Sequence, residues 1–115
     1  MEYAQYFIDD TLCIAIKGDL LGLTSEREIV QVVETFTIHG VKQVILDLKE
    51  TNHVNSKGLN ILIKVLTHLD EQHGELLVIN VSEQLKKLFK ITKLDMVFKV
   101  ADFRSEALHL LGSSD

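Results

Sequence analysis

Two short stretches, Val41 to Leu48 and Leu76 to Val81, are strongly apolar, and the segment between them has its apolar residues at helical spacing. Val44, Ile45 and Leu46 run consecutively, as in a central strand covered on both faces. Between the two stretches, Leu59, Leu62, Ile63, Leu66 and Leu69 mark one face of a helix running to Gly74. Strands separated by a helix pair in parallel through a right-handed crossover. The expected fold is therefore α/β, with helices packed against a mostly parallel sheet.

The remaining elements extend this pattern at both ends. Leu12, Ile14 and Ile16 alternate with Cys13, Ala15 and Lys17, the period of a strand with a buried face. Tyr3 to Ile8 pairs with it across Asp9-Asp10, a hairpin turn without glycine, which gives the sheet an N-terminal antiparallel strand. Ser25-Glu26-Arg27-Glu28 has the spacing of a capping box. Ile29, Val32, Val33 and Phe36 then form the apolar face of a helix that ends near Gly40. Ser82 is an N-cap for a third helix with Leu85, Leu88 and Phe89 inward. Met96 to Val100 reads as a last strand, and Phe103, Ala107 and Leu110 as a last helix ending at Gly112. The order is β-β-α-β-α-β-α-β-α.

The chain has 115 residues, no proline, one cysteine and a net charge of −5. No Gly/Ser-rich run divides it, so residues 1–115 are expected to form one domain, large enough for a core without metal or disulfide staples. Its apolar runs fall far short of the roughly 18 residues that cross a membrane. Met1-Glu2-Tyr3-Ala4-Gln5 lacks the basic start of a signal peptide, which predicts a cytoplasmic protein with no membrane partner. The acidic balance disfavours nucleic acid, whose phosphates call for a basic surface.

Asn52-His53-Val54-Asn55-Ser56-Lys57-Gly58 is the best-placed polar loop, since it lies at the carboxyl edge of the parallel strands where open α/β sheets place their sites. Ser56 has two readings. It is an N-cap whose hydroxyl accepts from the N–H of Gly58 or Leu59, or it is a regulatory phosphoserine whose charge sits at the positive end of a helix. His53, three residues earlier, raises a Ser/His esterase. The run nevertheless has only one glycine of the Gly-x-Ser-x-Gly elbow and no evident orienting acid.

His68 and His73, five apart, point in different directions on a helix and cannot share a metal on one face; with His39 they lie near helix C-termini, where imidazole suits the dipole. Cys13 reads as a buried thiol. Lys86, Lys90 and Lys93, with Lys87 alongside, place a basic stripe on the third helix, either a solvated face or a surface for an acidic partner. Neither Gly-x-Gly-x-x-Gly nor a Walker sequence occurs, so no catalytic residue, cofactor or metal site is expected.

With its order of elements, the chain resembles a STAS domain, the anti-sigma-factor antagonist family, over nearly all of residues 8–111. Leu12-Cys13-Ile14-Ala15-Ile16-Lys17-Gly18-Asp19-Leu20 is similar to the family's second strand and its glycine-acid-leucine. Val44-Ile45-Leu46-Asp47-Leu48 is similar to its central strand, and Asn55-Ser56-Lys57-Gly58-Leu59 falls on the Asp-Ser-Ser/Thr-Gly-Leu phosphorylation motif. Gly74-Glu75-Leu76, Leu88 and Thr92-Lys93-Leu94-Asp95-Met96-Val97-Phe98 are similar to its late segment. Three positions depart from the pattern: Asn55 replaces the acid before the serine, Lys57 the second hydroxyl residue, and Leu21 the acid after glycine-acid-leucine.

The resemblance implies a non-enzymatic binding module in a partner switch. In the family, the unphosphorylated domain binds a serine kinase that is also an anti-sigma factor, and phosphate on the motif serine breaks that binding. Carried over, Ser56 is the phosphoacceptor, and Asn55, Ser56, Lys57, Gly58 and Leu59 meet the kinase or a related regulatory protein. The alternative is a scaffold STAS module, bound constitutively, in which Ser56 only caps its helix.

Overall fold

The computed structural model of the protein describes residues 1–101. The expected last helix, with Phe103, Ala107 and Leu110, lies outside the described residues. Among the described residues, five strands form one sheet whose spatial order follows the chain: β1 (Glu2–Ile8), β2 (Thr11–Lys17), β3 (Gln43–Glu50), β4 (Glu75–Ile79) and β5 (Lys99–Ala101). β1 runs antiparallel to β2, with Ile8 opposite Thr11, and the other neighbours are parallel. The reversal between β1 and β2 needs a positive φ, which Asp9 supplies at 52°. A short polar side chain tolerates that conformation, so the hairpin closes without glycine.

The helices α1 (Arg27–Ile38), α2 (Ser56–Glu71) and α3 (Glu83–Ile91) are the crossovers. Because β2 to β5 advance steadily across the sheet, right-handed crossovers place all three helices on one face. The main core records this. Leu12, Ile14 and Ile16 of β2, Val44, Leu46 and Leu48 of β3 and Leu76 and Val78 of β4 pack against Ile29 and Val33, Leu62 and Val65, and Leu85 and Phe89 of the helices. Each such side chain contributes about 1.5–3 kcal/mol when fully buried. The intervening residues Cys13, Ile45, Leu77 and Ile79 point to the opposite face and form a smaller cluster with Ala101, Tyr6 and Ile8. This two-sided burial is what the consecutive apolar residues of β3 and β4 encode.

Three local expectations are corrected. Ser25 and Glu28 do not form a capping box: residues Thr24–Glu26 make a 3-10 turn, and Glu26, the N-cap of α1, makes no side-chain cap. Its carboxylate turns backward to two loop N–H groups instead. The last strand is only Lys99–Ala101, because Leu94–Met96 coil into a 3-10 turn. Finally, α3 stops at Ile91 and Lys93 adopts a left-handed conformation beyond its end, so the basic stripe on α3 reaches only Lys90.

Candidate functional site: the Ser56 loop

The site forms where the loops after β2 and β3 meet at the carboxyl edge of the sheet. Past the strand ends the two chains continue side by side, with Leu20 bridging Val54 in parallel register. The Leu20 N–H donates to the His53 carbonyl at 3.0 Å, and the Asn55 N–H to the Leu20 carbonyl at 3.1 Å. Beneath them, buried Thr51 donates its hydroxyl to the Ile16 carbonyl at 3.3 Å. The approach is close enough that a Cβ on buried Gly58 would overlap the Leu20 carbonyl. Glycine at this motif position is therefore a packing requirement.

Asn55, not Ser56, is the N-cap of α2. Its Oδ1 accepts from the Gly58 N–H at 2.8 Å, and its Nδ2 donates to the Leu21 carbonyl at 2.9 Å. The expected cap by Ser56 is corrected for this reason: an Asn one residue earlier reaches the same donor and gains a second, tertiary bond. Ser56 becomes the first helical residue, exposed, and its hydroxyl makes no hydrogen bond among the described residues. The N–H groups of Ser56 and Lys57 are likewise without a partner among the described residues, as at any helix start where only later amides are capped. A negative charge on Ser56 would face them.

The neighbours take these roles. Lys57 is exposed and lies over Gly22, where φ is +87° and a Cβ would run into the lysine side chain. Leu59 is buried in the core and anchors the first turn. His53 has an acid beside it that the sequence left unseen: Asp19 Oδ1 accepts from the His53 N–H at 3.1 Å, and Asp19 Oδ2 lies 3.5 Å from Nδ1. No hydrogen bond joins His53 to Ser56, so the pair the esterase reading requires is not assembled. A groove of about 530 Å³ adjoins the loop, lined by Leu21, His53, Val54, Leu85, Lys87 and Leu88.

Two of the other singled-out histidines have structural partners. His68 Nε2 lies 2.7 Å from the Thr37 hydroxyl and ties α2 to α1, while His39 Nδ1 lies 2.9 Å from the Thr35 carbonyl. Cys13 is buried. Among the described residues no group of three or more His, Cys, Asp or Glu side chains could hold a metal ion, and no helix is long and apolar enough to cross a membrane. Sequence reasoning missed Glu26 and Leu21. Their only sequence signal was an acid at the start of α1 and a leucine where the family places an acid.

A family model for the STAS domain matches residues 3–107. The chain belongs to the STAS domain family. Among curated relatives, the anti-sigma-B factor antagonist of Listeria monocytogenes is 26% identical over 100 residues, covering 84% of each chain. The structure of TM1081 from Thermotoga maritima matches with a TM-score of 0.86 at 19% identity, covering 96% of this chain and 94% of that one. Bacillus SpoIIAA, a cell fate determinant solved in its phosphorylated form, matches with a TM-score of 0.73 at 18% identity, covering 94% and 97%. At these identities the structural matches establish the shared STAS fold.

Proposed function

We propose that residues 1–115 form one non-enzymatic STAS module of the cytoplasm that antagonises an anti-sigma factor by binding it through the Ser56 loop, and that phosphate on Ser56 switches this binding off. The observation that carries the reading is the position of Ser56: exposed at the first residue of α2, with its hydroxyl left uncommitted because Asn55 holds the cap. A relative named as an anti-sigma-B factor antagonist and a structural neighbour solved in a phosphorylated form support it. The partner is a serine kinase of the anti-sigma type, or a related regulator, that meets Asn55, Ser56, Lys57, Gly58 and Leu59.

The switch is electrostatic. A phosphate adds about −1.5 to −2 charges to a surface that must be desolvated on binding. A loss of about 2–5 kcal/mol would weaken the complex about 30- to several-thousandfold. Within the free chain the same phosphate meets the unpartnered N–H groups of α2 and the Lys57 ammonium. Lys57 on its own opposes the helix dipole by about 0.3–1 kcal/mol, an opposition that the phosphate offsets.

The test measures binding of the source organism's anti-sigma-type serine kinases to wild type, Ser56→Ala and Ser56→Asp, with folding checked for each. Ser56→Ala should bind like wild type and Ser56→Asp should bind at least about 30-fold more weakly. Equal affinities across the three would favour the constitutive scaffold instead. That second reading draws on Asn55, whose two bonds give the motif's first position a structural task independent of any kinase.

A further inference from the structure

We propose that buried Glu26 is a positioning residue for the Ser56 site, acting through the Leu21–Gly22 backbone and Asn55. This deepens the reading of Ser56 as the recognition centre and rests on it. Glu26 has no exposure to solvent. A carboxylate so placed is tolerated only when hydrogen-bonded, and both of its oxygens are used: Oε2 accepts from the Leu21 N–H at 2.9 Å and Oε1 from the Gly22 N–H at 2.8 Å. The Leu21 carbonyl in turn accepts from Asn55 Nδ2 at 2.9 Å, and Asn55 Oδ1 accepts from the Gly58 N–H at 2.8 Å. A continuous run of hydrogen bonds thus leads from Glu26 to the first turn of α2.

Glu26 forgoes its own helix to do this. It is the N-cap of α1, where a carboxylate would ordinarily serve that helix's free amides, yet it makes no cap there. The segment it grips is shaped for contact with the Ser56 loop: Gly22 takes a φ of +87°, which brings its backbone against the Lys57 side chain with no room for a Cβ. Leu21, 44% exposed, and Leu23, 55% exposed, are large apolar side chains that the same loop presents to solvent. Loosening Glu26 releases the Leu21–Gly22 backbone, then the Asn55 side chain, then the cap that sets the Ser56 backbone.

Residue-resolved amide hydrogen exchange on the unliganded chain tests this for Glu26→Gln and Glu26→Ala. Glutamine keeps the shape and one accepting oxygen, so its effect should be a partial one, and it serves if the alanine variant does not fold. Exchange at Asn55 and Gly58 should quicken about tenfold with alanine and about threefold with glutamine, while the β3 and β4 amides hold their rates. Val65→Ala, a core cavity, should instead quicken exchange throughout. Faster exchange confined to Leu21 and Gly22, or spread evenly over the chain, would overturn the proposal. Because this experiment uses neither kinase nor phosphate, its failure is distinct from failure of the Ser56 reading. With a kinase that phosphorylates Ser56, Glu26→Gln should raise KM about threefold or more at unchanged kcat, as expected where bound substrate and transition state lose the same recognition energy; an unchanged KM would count against the proposal.

Discussion

The starts of α2 and α3 use the same capping chemistry with opposite consequences for a serine. At α3 the Ser82 hydroxyl accepts from the Leu85 N–H at 3.2 Å, so that serine is committed to its helix. At α2 the cap is Asn55, and Ser56 follows with its hydroxyl exposed and unbonded among the described residues. The α3 cap is local, reaching three residues ahead. The α2 cap also grips Leu21, 34 residues back in the chain. At α2 a neighbouring side chain takes over the capping and leaves the serine hydroxyl exposed, as the proposed phosphorylation requires.

The largest test of this comparison is Gly58→Ala. Its Cβ would overlap the Leu20 backbone and force the two loops apart. It should cost about 3 kcal/mol or more, read by urea denaturation, at the upper end of what overpacking imposes. A cost below about 1 kcal/mol would mean that the two loops separate easily.

Asn55→Ala comes next. It removes a cap, worth about 0.5–2 kcal/mol, together with the bond to Leu21, worth about 0.5–1.5 kcal/mol. Asn55→Asp keeps the cap and sets an acceptor oxygen against the Leu21 carbonyl in place of the donor, so its cost reports the tertiary contact alone and should be less than that of alanine. A cost near zero for Asn55→Asp would remove the tertiary half of the contrast with α3, and equal costs for the two would remove the cap.

The serines themselves sharpen the comparison further. Ser82→Ala should lose about 1 kcal/mol, and Ser56→Ala less than about 0.5 kcal/mol, because only the first hydroxyl is a cap. Denaturation midpoints of the two variants measured together check this, and the reverse order would return the cap to Ser56.

The smallest effect lies away from both helix starts and serves as a control. Partial burial, and then the charge and hydrogen bond of Glu28, raise the Tyr3 pKa above its ordinary 10.0. The folded state therefore favours the neutral phenol. The contribution to stability is fully present below pH 10 and is lost as pH rises through the folded-state value. Ultraviolet titration should show the Tyr3 phenol ionising late, and Glu28→Gln should bring it earlier.

Much of this architecture was legible because it rests on periodicity. Consecutive apolar residues at Val44–Leu46 marked a strand buried on both faces, and the spacing from Leu59 to Leu69 marked α2, although Ile61 and Val65 also turn inward. The site was legible in position and misread in detail. Ser25 and Ser56 both carried cap signals, and both lost the role, one where Glu26 turned back to Leu21 and Gly22, the other where Asn55 reached Leu21. Local spacing ranks the candidates for a cap, but a partner from a distant loop decides among them. The same limit hid Asp19 beside His53, since those residues meet only once β2 and β3 are paired.

The most direct measurement is of which serine accepts phosphate. Folded protein incubated with the source organism's anti-sigma-type serine kinases and ATP, then mapped by mass spectrometry, should carry phosphate on Ser56 and none on Ser82, whose hydroxyl is held in its cap. Ser56→Ala should abolish incorporation while leaving the fold intact. Phosphate on Ser82 with Ser56 unmodified, or undiminished incorporation in Ser56→Ala, would contradict the claim that the Asn55 cap makes Ser56 the switch.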